Sequence, residues 1–215
     1  MRHAIIRIRT SEPDYSDIPD QHYDWMHTVY GHAEELLPPD APETLGKPVT
    51  FSTYVDANLY HCMVTGDSVS GILHLINQTP FDWYSKKQST VETATYGSEF
   101  VAARIATDHI NGHHTMLRYL GVPVNNKTYM FGDNKSVVDS SATPQSKLHK
   151  HHMALSYHCV HEAIAAGIVA FIHLPGTINP ADLLSKHWAY FKIWPMLQAL
   201  LFYQGDTSTL IGDGS

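Results

Sequence analysis

The chain has 215 residues, 43% hydrophobic and 16% charged, which is enough apolar material for a core and excludes wholesale disorder. No run of 18 apolar residues occurs, and the first residues lack an apolar signal block, so neither a spanning helix nor secretion is expected. Two cysteines, Cys62 and Cys159, exclude a disulfide framework and read as reduced thiols, and a net charge of −7 argues against strong autonomous nucleic-acid binding.

Residues 1–50 carry much of the acidity, with 4 Lys+Arg against 9 Asp+Glu, a balance of −5. Rich in Pro, Asp and Glu, they read as an extended lead-in with one short helix near 25–37. Tyr23, Trp25, Tyr30 and Leu36 give it side chains to dock on a neighbour. From residue 49 the pattern alternates. VTFSTYVDA predicts a strand ending in Asp56, and 69–80 predicts a second, with Gly71 as a bulge. A tight turn at Gln78-Thr79-Pro80 leads to a third strand over 81–87.

A helix is predicted over 90–108 and another up to 120, stopped by Gly121-Val122-Pro123. Ala102, Ala103 and Ala106 form a small-residue face suited to close packing on a sheet. KTYMFGD (127–133) predicts a fourth strand ending in Asp133, and a short helix follows it. Residues 147–166 predict a histidine-bearing helix ended by Gly167, and 168–175 a fifth strand. Asn179 and Pro180 read as N-cap and first residue of a last helix. This order predicts an α/β fold: a mixed five-stranded sheet with helices on both faces, its first three strands antiparallel and the later ones parallel.

Sixteen histidines are present, twelve of them within 51–190. They include His113-His114 and the cluster His149, His151 and His152, and they suit a transition-metal site, a pH sensor or a histidine-rich helical surface, with no HExxH pattern beside them.

Four acids fall where strand ends and helices meet: Asp56, Glu99, Asp133 and Asp182. Converging there, they would offer hard oxygen ligands to divalent cations, and two such ions can drive in-line phosphodiester cleavage. Each also has a plain alternative: a turn residue at Asp56, a solvated position at Glu99, and helix-terminal acids at Asp133 and Asp182.

The flanking words narrow this. VDA (55–57), TGDSVSG (65–71), DWYSKKQSTVETATYGSEF (82–100), FGDNKSV (131–137), LHKHHMALSYHCVHE (148–162) and NPADLLSK (179–186) resemble the RNase H region of copia-type retrotransposon Pol polyproteins, in order and spacing, over roughly residues 50–190. The resemblance implies an RNase H-like domain over 49–190, a connecting segment over 1–48, and a C-terminal helix and tail over 191–215. It implies magnesium-dependent cleavage (two ions, Mn²⁺ able to substitute) of the RNA strand of RNA–DNA hybrids. The site acids it implies are Asp56, Glu99, Asp133 and Asp182. Of these, Asp56 and Asp133 would serve both metals, Glu99 the leaving-group side and Asp182 the water side. Lys86, Lys87, Gln88, Ser89, Asn134 and Ser136 are the substrate-contact candidates. The partners implied are the hybrid and the polymerase portion of the polyprotein, with no membrane, in a cytoplasmic virus-like particle or the nucleus. The alternative is a non-catalytic remnant that keeps the fold as an interaction or vestigial domain.

Departures from the family pattern are Asn58, where a second acid often follows the first, Asp67 in place of a basic residue, and Ala154 in place of an acid. Thr177 occupies the place of a mobile histidine, and His173 is given no catalytic role.

Overall fold

The computed structural model describes residues 9, 11–19, 23–61, 66–90, 92, 94–125, 127–147 and 153–201. Cys62, the histidines at 149, 151 and 152, Lys150 and the tail beyond 201 lie outside them.

Five strands form one sheet in the order β3-β2-β1-β4-β5. β1 (Phe51–Asn58) pairs antiparallel with β2 (Val69–Ile76), which pairs antiparallel with β3 (Thr79–Lys87). On the other side β1 runs parallel to β4 (Thr128–Gly132), and β4 parallel to β5 (Val169–His173). The mixed sheet is as predicted: a tight turn joins β2 to β3, and helical crossovers return the chain to the parallel strands. No helix among the described residues is long and apolar enough to cross a membrane.

The turn between β2 and β3 falls earlier than predicted, at Asn77-Gln78. Asn77 takes the left-handed conformation (φ 54°), and its side chain accepts from the Thr50 amide at 3.0 Å. Thr79 and Pro80 already belong to β3. The register irregularity lies between His74 and Leu75, not at Gly71.

One continuous helix, α1 (Thr95–Tyr119), replaces the two predicted. Gly112 in its middle is tolerated, and Gly121 (φ 71°) follows its end. Its buried stripe of Phe100, Ala103, Ala106, Ile110 and Leu117 packs with Phe51, Val55 and Ile72 of the sheet and with Met130. The alanines let the helix approach closely, as expected. α2 (Lys135–Ala142) begins at Asn134, whose side chain accepts from the Val137 amide. α3 (Ala154–Ala165) packs against α1, and Gly167 (φ 73°) lies just beyond it.

The opposite face carries α4 (Asp182–Ser185), and α5 (Tyr190–Leu201) follows. Asn179 does not cap a long helix. A short 3-10 turn (Gly176–Ile178) precedes it, and its buried side chain donates to Val55 O and accepts from the Ala181 amide. Gly71 has a different role from a bulge. A Cβ there would lie 2.6 Å from Ala181 O and 2.9 Å from Ser185 N, so glycine lets the α4 backbone sit on the sheet. Gly71→Ala is expected to destabilise the fold by about 1–3 kcal/mol in urea denaturation, because both obstructing atoms are backbone.

The lead-in is docked, and its described residues form turns rather than the helix predicted near 25–37. Tyr15 packs on Tyr129 and Phe131, and its hydroxyl meets Ser52 Oγ at 2.7 Å. Trp25 and Tyr30 rest on His161. Tyr23 and Leu36, expected to dock, are exposed. Glu35 forms the strongest tether. It takes both guanidinium nitrogens of Arg118, at 2.5 and 2.7 Å, and meets His114 Nδ1 at 2.8 Å. Despite the opposing cost of burial, His114 and Arg118 hold its carboxyl down at about 2. A carboxyl lowered on folding stabilises above its unfolded value, and that contribution disappears as pH falls toward 2. Glu35→Gln is expected to cost about 1.5–3 kcal/mol at pH 7 and nothing near pH 2, measured by denaturation across that range.

Candidate active site: a carboxylate cluster at the strand ends

β1 and β4 run parallel, so their C-terminal ends lie side by side and bring Asp56 and Asp133 together. α1 crosses the same end with Glu99 in its second turn. Asp56, Glu99 and Asp133 each offer a carboxylate oxygen, and these oxygens lie within 4.8 Å of one another. Such a set of hard donors could hold a metal ion. Asp56 is 1% exposed and Glu99 8%.

Asp182 stands beside this trio, connected to it through a lysine. Lys186 Nζ donates to Asp182 Oδ1 at 2.7 Å and to Asp56 Oδ1 at 3.3 Å. Ser185 Oγ donates to Asp56 Oδ2. The placement of α4 fixes all three. Gly71 admits its backbone, Ser85 Oγ donates to Leu184 O at 2.5 Å, and Trp188 Nε1 donates to Asp182 O at 3.0 Å.

The electrostatics follow from this crowding. Burial, then the charges of Asp56 and Asp133, push the Glu99 carboxyl well above the ordinary range, against a hydrogen bond from the Ala57 amide. Burial and Asp56 raise Asp133. Burial and Asp56 bring Asp182 to about 6, even with Lys186 opposing. Burial works against the Lys186 ammonium, but Asp182 and Asp56 outweigh it and hold its pKa above the usual value. Like charges held together out of water are the condition that a divalent cation relieves.

Two backbone approaches support Asp133. His173, the last residue of β5, places Nε2 3.1 Å from Asp133 O. A Cβ on Gly176 would come within 2.8 Å of Asp133 Oδ2, so the turn after β5 sits against the carboxylate.

The other candidate residues divide. Gln88 is buried, and its amide donates to Ser70 Oγ at 2.9 Å and Ser98 O at 2.8 Å. Its amide nitrogen therefore ties β2 to α1, and the side chain turns into the fold rather than onto the surface. Lys87 pairs with Asp67 at 3.1 Å, while Lys86 and Ser89 are exposed near the end of edge strand β3. Asn134 uses its oxygen as the cap of α2, and Ser136 is exposed one residue into that helix. Sequence reading missed Ser185 and Lys186, although the i, i+4 spacing of Asp182 and Lys186 was a usable signal. The histidines, for which the sequence leaves a metal site, a pH sensor and a helical surface all open, include three, His74, His114 and His161, that are fully buried.

No protein-family model matches the chain. It is similar to the retrovirus-related Pol polyprotein from transposon RE2 of Arabidopsis thaliana, 23% identical over 141 residues, covering 66% of this chain and 10% of that protein. It is 25% identical over 134 residues to that from transposon TNT 1-94 of Nicotiana tabacum, covering 62% and 10%. The chain thus spans about a tenth of the length of these relatives. Among solved structures, LC11-RNase H1 in complex with RNA/DNA hybrid superposes with a TM-score of 0.50 at 15% identity, covering 63% of this chain and 94% of that one. The sheet order, the carboxylates at its strand ends and the sequence relatives agree: the chain has an RNase H-like fold and resembles the RNase H region of copia-type retrotransposon Pol polyproteins.

Proposed function

We propose that this chain is an RNase H-type hydrolase that cuts the RNA strand of RNA–DNA hybrids, working beside the polymerase portion of a retroelement Pol polyprotein. The observation that carries the reading is the convergence of Asp56, Glu99 and Asp133 within 4.8 Å, with Asp182 adjoining. The donor set fits magnesium, which prefers carboxylate oxygens. Bound there, two such ions supply a nucleophilic water and stabilise the leaving oxygen.

The chain's own residues do the positioning. Asp56 is the hub, oriented by Ser185 and reached by Lys186. Glu99 is held by the Ala57 amide and Asp133 is backed by the turn at Gly176. Lys86, Ser89, Asn134 and Ser136 are the residues we propose to meet the backbone and the 2′-hydroxyls that mark the RNA strand. Lys186 sets a positive charge beside Asp56 and Asp182.

The substrate class is tested by offering the purified chain, with Mg²⁺ or Mn²⁺, four labelled 20-mers: hybrid, double-stranded RNA, double-stranded DNA and single-stranded RNA. The expected result is cleavage of the RNA strand in the hybrid alone. Folded protein that leaves the hybrid intact would favour a remnant domain.

A further inference from the structure

A second cluster of ligating side chains lies on the α1 face of the sheet, away from the carboxylates. His74 on β2 is directly opposite Asp82 on β3. His109 and His113, four residues apart on α1, project from one face of the helix onto this pair. The ligating atoms of His74, His109 and His113 lie within 4.8 Å of one another.

His74 Nδ1 lies 2.8 Å from Thr53 Oγ1, and donating there leaves its Nε2 lone pair facing His109. His74 Nε2 and His109 Nδ1 are 3.3 Å apart. Two nitrogens each about 2.0–2.1 Å from a tetrahedral ion are separated by about 3.3–3.4 Å. His113 Nε2 is buried and lies 3.1 Å from Asp82 Oδ2. The surroundings are apolar and aromatic: Phe51 stacks on His74, Phe81 meets His113, and Tyr84 meets His109.

We propose that His74, His109 and His113 form a structural site for a divalent transition ion such as Zn²⁺, held by three imidazole nitrogens, with the Asp82 carboxylate orienting the His113 ring. Imidazole selects such an ion over magnesium. The site locks edge strand β3 and its neighbour β2 to α1. It is separate from the carboxylates. Thr53, the β1 partner of His74, is three residues before Asp56, about 10 Å along the strand. His109 is ten residues beyond Glu99, about 15 Å along the helix.

The test is titration of the full chain with Zn²⁺, and with Co²⁺ as a spectroscopic probe, in excess Mg²⁺ to occupy the carboxylates. Variants are His109→Ala, His113→Ala and Asp82→Asn, with a triple alanine variant at His149, His151 and His152 as control. Alanine suits a helix, and circular dichroism checks each fold. The expected result is one zinc per chain, a tetrahedral Co²⁺ spectrum, and a zinc-dependent rise in Tm, all kept in the triple variant. His109→Ala and His113→Ala should lose all three, and Asp82→Asn should weaken binding about 10–100-fold. Absence of a stoichiometric zinc site in the wild-type chain would overturn the proposal. So would a site that survives His109→Ala and His113→Ala or disappears in the triple variant.

Discussion

Asp56→Asn is expected to lower hybrid cleavage by at least about 10²–10³-fold, the size of effect seen when one preorganised charge-stabilising group is removed from an active site. Asp56 is chosen because the other groups converge on it: it touches Ser185 and Lys186, and its charge raises Glu99, Asp133 and Asp182. The same substitution should change stability in a way that a merely structural residue would not. A carboxyl raised on folding binds its proton more tightly in the folded state, so stability falls as pH rises from the unfolded value through the folded one. For Asp182 that window runs from its ordinary 3.8 to about 6. The metal-free wild-type chain should therefore lose stability as pH rises across that range, and the slope should flatten in Asp56→Asn. Magnesium added to the wild type should restore stability near neutral pH, because binding to the folded state alone stabilises by mass action.

Lys186→Ala carries the second large effect. The ammonium contacts Asp56 Oδ1 and Asp182 Oδ1, oxygens that a cation in this cluster would use. Removing it leaves buried acids without that counter-charge. Loss of one partner from a fully buried pair costs about 3–5 kcal/mol. The Lys186 side chain is 31% exposed, and screening reduces the expected loss to about 1–3 kcal/mol. Asp182 should then titrate above its present value. Metal affinity should move the other way, because the ion no longer displaces a positive charge held at hydrogen-bond distance. Magnesium should bind about tenfold more tightly to Lys186→Ala than to wild type by calorimetry. An equal or weaker affinity would show that lysine and metal do not share these oxygens.

The sheet and its carboxylates were legible because their signals are local. Alternation over 49–57 marks β1 and the position of Asp56, and KTYMFGD marks β4 and Asp133. What escaped depends on tertiary approach. Gly71 reads as a bulge in one dimension, and only the seating of α4 shows why a side chain cannot be there. Gln88 follows two lysines and reads as part of a phosphate-facing loop, yet its amide turns inward to Ser70 and Ser98. The single long α1 runs through Gly112, because a continuous buried stripe outweighs one glycine in the middle of a helix, and it stops before Gly121. The burial of individual histidines was the least legible. Three are at the bottom of the fold, one hydrogen-bonded to Thr53, one to Thr128 and one to the Tyr157 carbonyl. Composition alone cannot distinguish these from surface residues.

The most direct test of the central reading is a time course of hybrid cleavage by the purified chain and by Asp133→Asn. Both would use 5′-labelled RNA annealed to DNA, with Mg²⁺, after circular dichroism has shown both proteins folded. The expected result is RNA-strand cleavage by the wild type that is absent in Asp133→Asn and absent for both with EDTA. Equal cleavage by the two proteins, or none by a folded wild-type chain, would contradict the assignment of the carboxylate cluster as the active site.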